Sequence, residues 1–580
     1  MTHDVVLRGG LVVDGTGGPS FVGDVAIRGG RIAEVGARSR NPTGRVVDVS
    51  GLVVAPGFVD VHTHYDAQVL WDPLLGASAQ YGVTTVVMGN CGIGLAPLRP
   101  GDEPFLVQLL ASVEGMPKSA LETGVAWDWQ GFGDYLDRLD GGLGPNVVAL
   151  VGHSPLRYSV MGADACERPA SGPELTRMRD LLRDALTAGA WGFSSSAAGT
   201  HNDLAGRPAP SRLAEVAELE ALAGVVGEFP FGIIGMSPES KLRGLTAGDR
   251  SMLSMLSLRG GASVNWNPLL HTPHIPDLWK VNLSASDEAA TIGARVFAVF
   301  NPSSTGGSRV DLNSLFLFAA LPHWKPLASL STGEKLAAFS DPAVRRDLAD
   351  DLERDSSMGL LTARLRTMWD ILRVTEVHSA GNAAHLGRLV GDIARESGRT
   401  PLDTMLDLAI TDGLQTVFMQ EDVRKEDAAA KDAFDAMVAS PHVLFGGSDA
   451  GAHLDMLANE SLPARTLAWR VRDQGSLAIE EAIRRFTSAI ADAIGLAGRG
   501  RLAPGMAADV VVFDLERVGA GDAHVASDLP GGGARLVTEA RGVQYTIVNG
   551  EIVFAGGTAT GSLPGGLLRS GTNYHCEAHS

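Results

Sequence analysis

The run Gly57-Phe58-Val59-Asp60-Val61-His62-Thr63-His64 is an apolar strand that closes on two histidines one position apart. Residues i and i+2 of a strand share a face, so the imidazoles of His62 and His64 project together. Two imidazoles converging at the carboxyl end of a strand form half of a zinc-type site. Further strand-sized apolar runs follow at Thr84–Asn90, Asn146–His153, Trp191–Ser196, Phe231–Ser237, Ala262–Leu269, Ala294–Phe300 and Val443–Ala450. Helical stretches such as Glu174–Ala188, Ser211–Val225 and Ala478–Gly495 lie between or after them. This alternation is the pattern of parallel βα units, and eight of them predict an α/β chain built on a (β/α)8 TIM barrel.

The ends of the chain read differently. Short β-branched runs separated by glycine turns fill residues 4–57, among them Val5-Val6-Leu7, Asp24-Val25-Ala26-Ile27 and Val46-Val47-Asp48-Val49. The same style returns at Ala508–Asp514 and at Tyr545–Phe554, with an Asn549-Gly550 turn. Such runs are hairpin signals. Neither end has enough strands for a sheet of its own, so 1–57 and 498–580 are expected to form one small β-sandwich beside a central domain at 58–497. Residues 301–442, between the seventh and eighth strand candidates, are too long for a simple connection. They read either as a lid that shapes a substrate site or as a solvated helical excursion, and they include the polar run Gln420–Lys431.

Composition excludes several classes. The 580 residues are 45% hydrophobic, with 48 Lys plus Arg against 67 Asp plus Glu and a formal charge of −19. A disordered chain lacks that apolar content, and a nucleic-acid binder carries the opposite charge balance. No apolar window of about 18 residues exists to span a membrane. The opening Met1-Thr2-His3-Asp4 shows no export signal. Three cysteines, Cys91, Cys166 and Cys576, cannot frame a disulfide scaffold and suit a reducing cytoplasm. Large barrels commonly self-associate, so a homo-oligomer is left open.

The last strand candidate runs into Gly446-Gly447-Ser448-Asp449-Ala450-Gly451-Ala452-His453. An aspartate ending an apolar strand is costly to bury unless a cation or proton meets it. The alternative is a helix N-cap.

These residues, taken with Ala55-Pro56-Gly57, Thr84–Gly92, Leu150–His153, Trp191–Ser195 and Gly500–Asp509, resemble the amidohydrolase superfamily. The resemblance is nearer to its N-acyl-D-amino-acid deacylase (D-aminoacylase) branch, and it covers nearly the whole chain. It implies a (β/α)8 barrel, a β-sandwich from both termini and one or two divalent metals. It also implies a cysteine ligand after the second strand, the position of Cys91; the other reading of that cysteine is a small buried hydrophobe. The family's second metal is held by histidines ending strands five and six, and here neither strand contains one. The expectation is therefore a single divalent ion, Zn2+, bound by His62, His64, Cys91 and Asp449. A second ion would need rescue by His201, His271 or His274.

Asp449 is the expected general base and then acid, with water acidified by the metal as the nucleophile. His153 is expected to be catalytic as a donor to a substrate carbonyl, or else to orient a ligand. Candidate contacts to a small-molecule amide substrate are Arg157, His201, Asn267, His271 and Lys280, with Arg212 a further carboxylate partner. Ser194, Ser195 and Ser196 lack a Gly-x-Ser-x-Gly elbow. The resemblance implies hydrolysis of an N-acyl amino acid, possibly of D configuration. Alternatives are a cyclic-amide or other C–N hydrolase of the same superfamily, and a catalytically silent small-molecule-binding barrel.

Overall fold

The computed structural model describes residues 4–36, 44–203, 206–230, 232–272, 274–303, 308–318, 321–353, 365, 368–420 and 428–571. Its centre is an eight-stranded sheet formed by β1 (Phe58–Asp60), β2 (Val83–Met88), β3 (Asn146–Gly152), β4 (Gly192–Ser196), β5 (Ile233–Ser237), β6 (Ser263–Leu269), β7 (Val296–Phe300) and β8 (Val443–Phe445). Each strand pairs with the next in parallel, and β7 pairs with β8 across the long insertion. All eight strand candidates are present.

The sheet curls until its outer strands meet. The His64 N–H donates to the Ala450 carbonyl at 2.7 Å, and a Cβ placed on Gly446 would lie 2.8 Å from Val61 Cγ1. Both faces are apolar, which is why these strands read as unbroken hydrophobic runs. Val59, Val87, Val148, Leu150, Val299 and Leu444 form one cluster on the concave side. Val86, Val147, Phe193, Ile234, Val264, Ala298 and Phe445 pack outward against the helices. The helix Ser488–Ile494 supplies Ile490 and Ile494 to the concave cluster, and its Ile494 carbonyl accepts from Trp191 Nε1. Trp191 precedes β4, so this helix closes the amino end of the sheet and leaves the carboxyl end for chemistry. The predicted helix Ala478–Gly495 is two helices, Ile479–Phe486 and Ser488–Ile494, because Thr487 takes non-helical angles between them.

The two ends of the chain share one nine-stranded mixed sheet. Val510–Phe513 lies antiparallel to Val53–Pro56, which joins the amino-terminal strands to the carboxyl-terminal ones. Leu7, Val25, Ile27, Val54, Val510, Val512 and Ile547 form its core. Asp509 ties this sheet to the central one: it pairs with Arg499 and accepts from Asn146 Nδ2 of β3 and from the Asn549 N–H.

The insertion has a core of its own, including Val310, Phe318, Trp324, Phe339, Leu348, Leu372, Leu406 and Phe418. Its strands Arg309–Val310, Val417–Gln420 and Leu372–Glu376 form a three-stranded antiparallel sheet. The Arg309 N–H donates to the Met456 carbonyl, so this body rests on the loop that follows β8. The helix Ala428–Ala439 instead gives Ala433, Phe434 and Met437 to the central core. Within the polar run Gln420–Lys431, positions 421–427 lie outside the described residues. Among the described residues no helix is long and apolar enough to cross a membrane.

Candidate metal centre

Strand β1 stops pairing at Asp60, shorter than the predicted Phe58–His64. Beyond it Thr63 turns to β2, its N–H and hydroxyl both donating to the Val87 carbonyl. His62 and His64 flank that anchor, with ring centroids 5.2 Å apart. After β2 the chain turns sharply through Gly89, Asn90, Cys91 and Gly92. Gly89 has φ +81°, and a Cβ there would meet the Leu150 carbonyl oxygen at 2.2 Å. Cys91 itself holds φ +56°. A non-glycine residue pays for that conformation, a cost found chiefly where function demands it. Asp449, at φ +53° in the loop after β8, shows the same feature.

These turns bring the donors together. Ligand atoms of His62, His64 and Cys91 lie within 4.8 Å of one another, and all three residues are buried. Cys91 Sγ is 3.5 Å from His62 Nε2. Asp449 Oδ1 approaches His62 Nε2 at 3.3 Å and His64 Nε2 at 3.7 Å. Glu114, at the end of the helix Glu103–Val113, faces His64 Nδ1 at 3.4 Å, which leaves Nε2 directed at the centre. A carboxylate behind a metal-binding imidazole commonly fixes its tautomer and orientation. The Asp449 side chain is 35% exposed, so it faces both the centre and arriving solvent.

Burial and the two imidazoles pull the acidic groups of this pocket in opposite directions. Burial pushes the Cys91 thiol up, but His62 and His64 outweigh it and bring the pKa down to about 5. Burial also opposes ionisation of Asp449, and the same imidazoles hold it well below the usual carboxylate range. Glu114 is pushed up to about 8 by burial and by the neighbouring Cys91, Asp449 and Asp66, against the pull of His64. His64 is disfavoured as a cation by burial, yet Glu114, Asp449 and Cys91 raise its pKa well above the ordinary value. Two imidazoles, a thiolate and a carboxylate are a donor set suited to a tetrahedral divalent ion, zinc above all. The residues present fit such an ion.

Two expected residues are placed elsewhere, which corrects the sequence reading. His153 does not line the site. Strand β3 ends at Gly152, and His153 opens the helix His153–Met161 on the outer side of the sheet. Both of its nitrogens are engaged, Nδ1 with Ser195 Oγ and Nε2 with Glu218 Oε1, each at 2.8 Å. Its exposure is 0%. Arg157 pairs with the same Glu218 and is also fully buried, so it is no anchor for a substrate carboxylate. Ser195, His153 and Glu218 have the connectivity of a nucleophilic triad, but they are sealed in the helical layer and Arg157 balances the carboxylate. Glu218→Gln should therefore leave metal content unchanged and cost roughly 3–5 kcal/mol, the penalty of stranding a buried charge. A denaturant titration reads this directly, and an unshifted midpoint would contradict it.

Lys280 lies on the surface, paired with Asp277 and stacked on Trp279. This too corrects the reading of it as a substrate contact. Arg212 donates to the His201 carbonyl and to Asn202 Oδ1. His274 is exposed, whereas His271 is half-buried, with both ring nitrogens lacking a hydrogen-bond partner among the described residues. His201 is closer to the chemistry. Its Nδ1 meets Ser196 Oγ at 2.9 Å, and its pKa is driven far down by burial and then by the charges of Lys241 and His64. Asn267, at the end of β6, aims Nδ2 at His62 Nε2 (3.4 Å) and at Cys91 Sγ (3.9 Å). Among the described residues, ligand groups converge only at His62, His64 and Cys91.

Sequence reasoning missed Glu114, Lys241 and His453. Glu114 ends an ordinary helix, and nothing in Ala111-Ser112-Val113-Glu114-Gly115 marks it. Lys241 follows β5 by four residues, and its Nζ donates to Ser237 Oγ. His453, in the loop after Asp449, is driven down to about 4 by burial, against the pull of Asp449. Its position four residues after Asp449 was the one available signal.

A model of the Amidohydrolase family matches residues 45–554, and the chain belongs to that family. Within it the chain is a metal-dependent amidohydrolase resembling the N-acyl-D-amino-acid deacylases. The N-acyl-D-glutamate deacylase of Alcaligenes xylosoxydans xylosoxydans is 30% identical, over 98% of this chain and 96% of its own. The crystal structure of N-acyl-D-glutamate deacylase from Bordetella bronchiseptica, complexed with zinc and a phosphonate mimic of the tetrahedral intermediate, is 27% identical with a TM-score of 0.63. That match covers 98% of this chain and 100% of the other. A D-aminoacylase structure addressing a binuclear metal centre, with one-metal activation and second-metal attenuation, is 25% identical with a TM-score of 0.62, at the same coverages.

Proposed function

We propose that this chain hydrolyses the amide bond of an N-acyl amino acid of D configuration, releasing a carboxylate and a free amino acid. The observation that carries the reading is the convergence of His62, His64 and Cys91 beneath a partly open Asp449. Its scaffold is read as a (β/α)8 barrel flanked by a β-sandwich from both termini. His62 and His64 through Nε2, Cys91 through Sγ and Asp449 through one oxygen would hold a zinc ion. When bound, that ion supplies Lewis acidity and brings the pKa of water toward about 7.

The chain's own groups divide the remaining work. Asp449 accepts a proton from the attacking water and passes it to the amide nitrogen as the C–N bond breaks. Glu114 fixes the His64 ring. Asn267 presents an N–H donor beside His62 and Cys91, where a substrate carbonyl oxygen can be met. The centre is read as holding one ion, because β5 and β6 offer Gly235, Ser237, Asn265 and Asn267 rather than imidazoles. A reducing cytoplasm suits the buried free thiols of Cys91 and Cys166.

The test is a panel of N-acyl-D- and N-acyl-L-amino acids, scored by released amine. Turnover of D substrates with little or none of their L counterparts is expected. Turnover confined to L substrates, or to cyclic amides, would overturn the assignment.

A further inference from the structure

The candidate centre gathers a thiol and carboxyl groups around two imidazoles. Cys91 Sγ and Asp449 Oδ1 face His62 Nε2 at 3.5 and 3.3 Å, and Glu114 faces His64 from behind. Across from Cys91 and His62 the centre is bounded by β6, with β5 paired beside it. Asn267 on β6 turns a donor, not an acceptor, toward His62 and Cys91. Beyond β5, Lys241 bends back so that its Nζ donates to Ser237 Oγ, the last residue of that strand. Ser237 is in register with Ser196 of β4, whose hydroxyl holds His201. Lys241 is thus fixed at the ends of β4 and β5, and its side chain is partly buried. Its backbone is pinned as well, the carbonyl accepting from Asn282 Nδ2 at 2.8 Å. Burial pulls its pKa below the ordinary lysine value, with Cys91, Asp449 and Glu114 acting against that fall. An ammonium group offers only donors, so it repels a metal ion and attracts the anions of the centre.

Resting on the function proposed above, we infer that Lys241 is the second cation of this centre: its ammonium stands where another metal ion would sit and donates to the carbonyl oxygen of the substrate. The oxygen gains negative charge as water adds to the carbonyl carbon. An N–H donor aimed there is stronger in the transition state than in the ground state.

Metal counting tests this without a substrate. Wild-type protein exposed to excess zinc and freed of unbound ion should retain one ion per chain. Lys241→Glu, which exchanges the cation for a carboxylate, should retain two. Two ions in wild type, or one in both proteins, would overturn the inference. In the hydrolysis assay Lys241→Met should keep its single ion and lose about 10²–10³-fold in kcat with little change in KM. Lys241→Arg should recover part of that loss. An unchanged kcat in Lys241→Met, or loss of its ion, also counts against the assignment. If the ion counts behave as expected but wild type cleaves no N-acyl amino acid, the substrate reading falls and the charge assignment stands.

Discussion

Asp449→Asn is expected to keep the metal and to lose about 10²–10⁴ in kcat, the range a positioned general acid–base contributes. The substitution preserves shape and leaves one oxygen to face His62 and His64. It removes the only function that the neutral amide cannot supply, taking a proton at neutral pH. Asp449 is suited to that role because the imidazoles keep it ionised while about a third of its surface remains open (35%). Its φ of +53° is a cost that asparagine also tolerates, so the loop should keep its course. Metal analysis beside steady-state kinetics checks both halves. Near-normal turnover would remove Asp449 from the proton pathway.

The second large effect is expected from His62→Ala: metal content near zero and hydrolysis at background. His62 Nε2 is the hub of the centre, facing Cys91 Sγ at 3.5 Å, Asp449 Oδ1 at 3.3 Å and Asn267 Nδ2 at 3.4 Å. Its removal deletes one ligand. It also removes the first of the favourable influences that bring the Cys91 thiol down to about 5 against burial, so the sulfur reverts toward the protonated form that binds metal poorly. Cobalt substitution reads this spectroscopically. Thiolate-to-metal absorption should be present in wild type and absent in His62→Ala and in Cys91→Ala. A His62→Ala protein that purified with a full complement of metal would remove His62 from the ligand set.

Much of the architecture was legible because the central strands are apolar on both faces and the runs between them are not. Periodicity therefore located all eight strands of the parallel sheet. The strand ends were less legible. His153 follows an apolar strand as His64 does, but the helix that begins at His153 turns it outward to Ser195 and Glu218. Whether a chain extends past its last pair or enters a helix is decided by contacts such as Thr63 with Val87, which lie 24 residues apart. Of the candidate ligands, His62 and His64 were legible from their spacing, Asp449 from its place at the end of an apolar strand and Cys91 from the resemblance, and the structure brings His62, His64 and Cys91 together. Glu114 and Lys241 carry no spacing signal. One ends a helix and the other follows a strand by four residues, and only the folded sheet sets Glu114 against His64 and the Lys241 ammonium at the carboxyl end of β5.

The most direct test is anomalous diffraction at the zinc edge from crystals of the zinc-loaded protein. The account predicts one peak, within bonding distance of His62 Nε2, His64 Nε2, Cys91 Sγ and an Asp449 oxygen, with the Lys241 ammonium on the open side. A peak held by other residues, or full zinc loading with these four side chains directed apart, would contradict it.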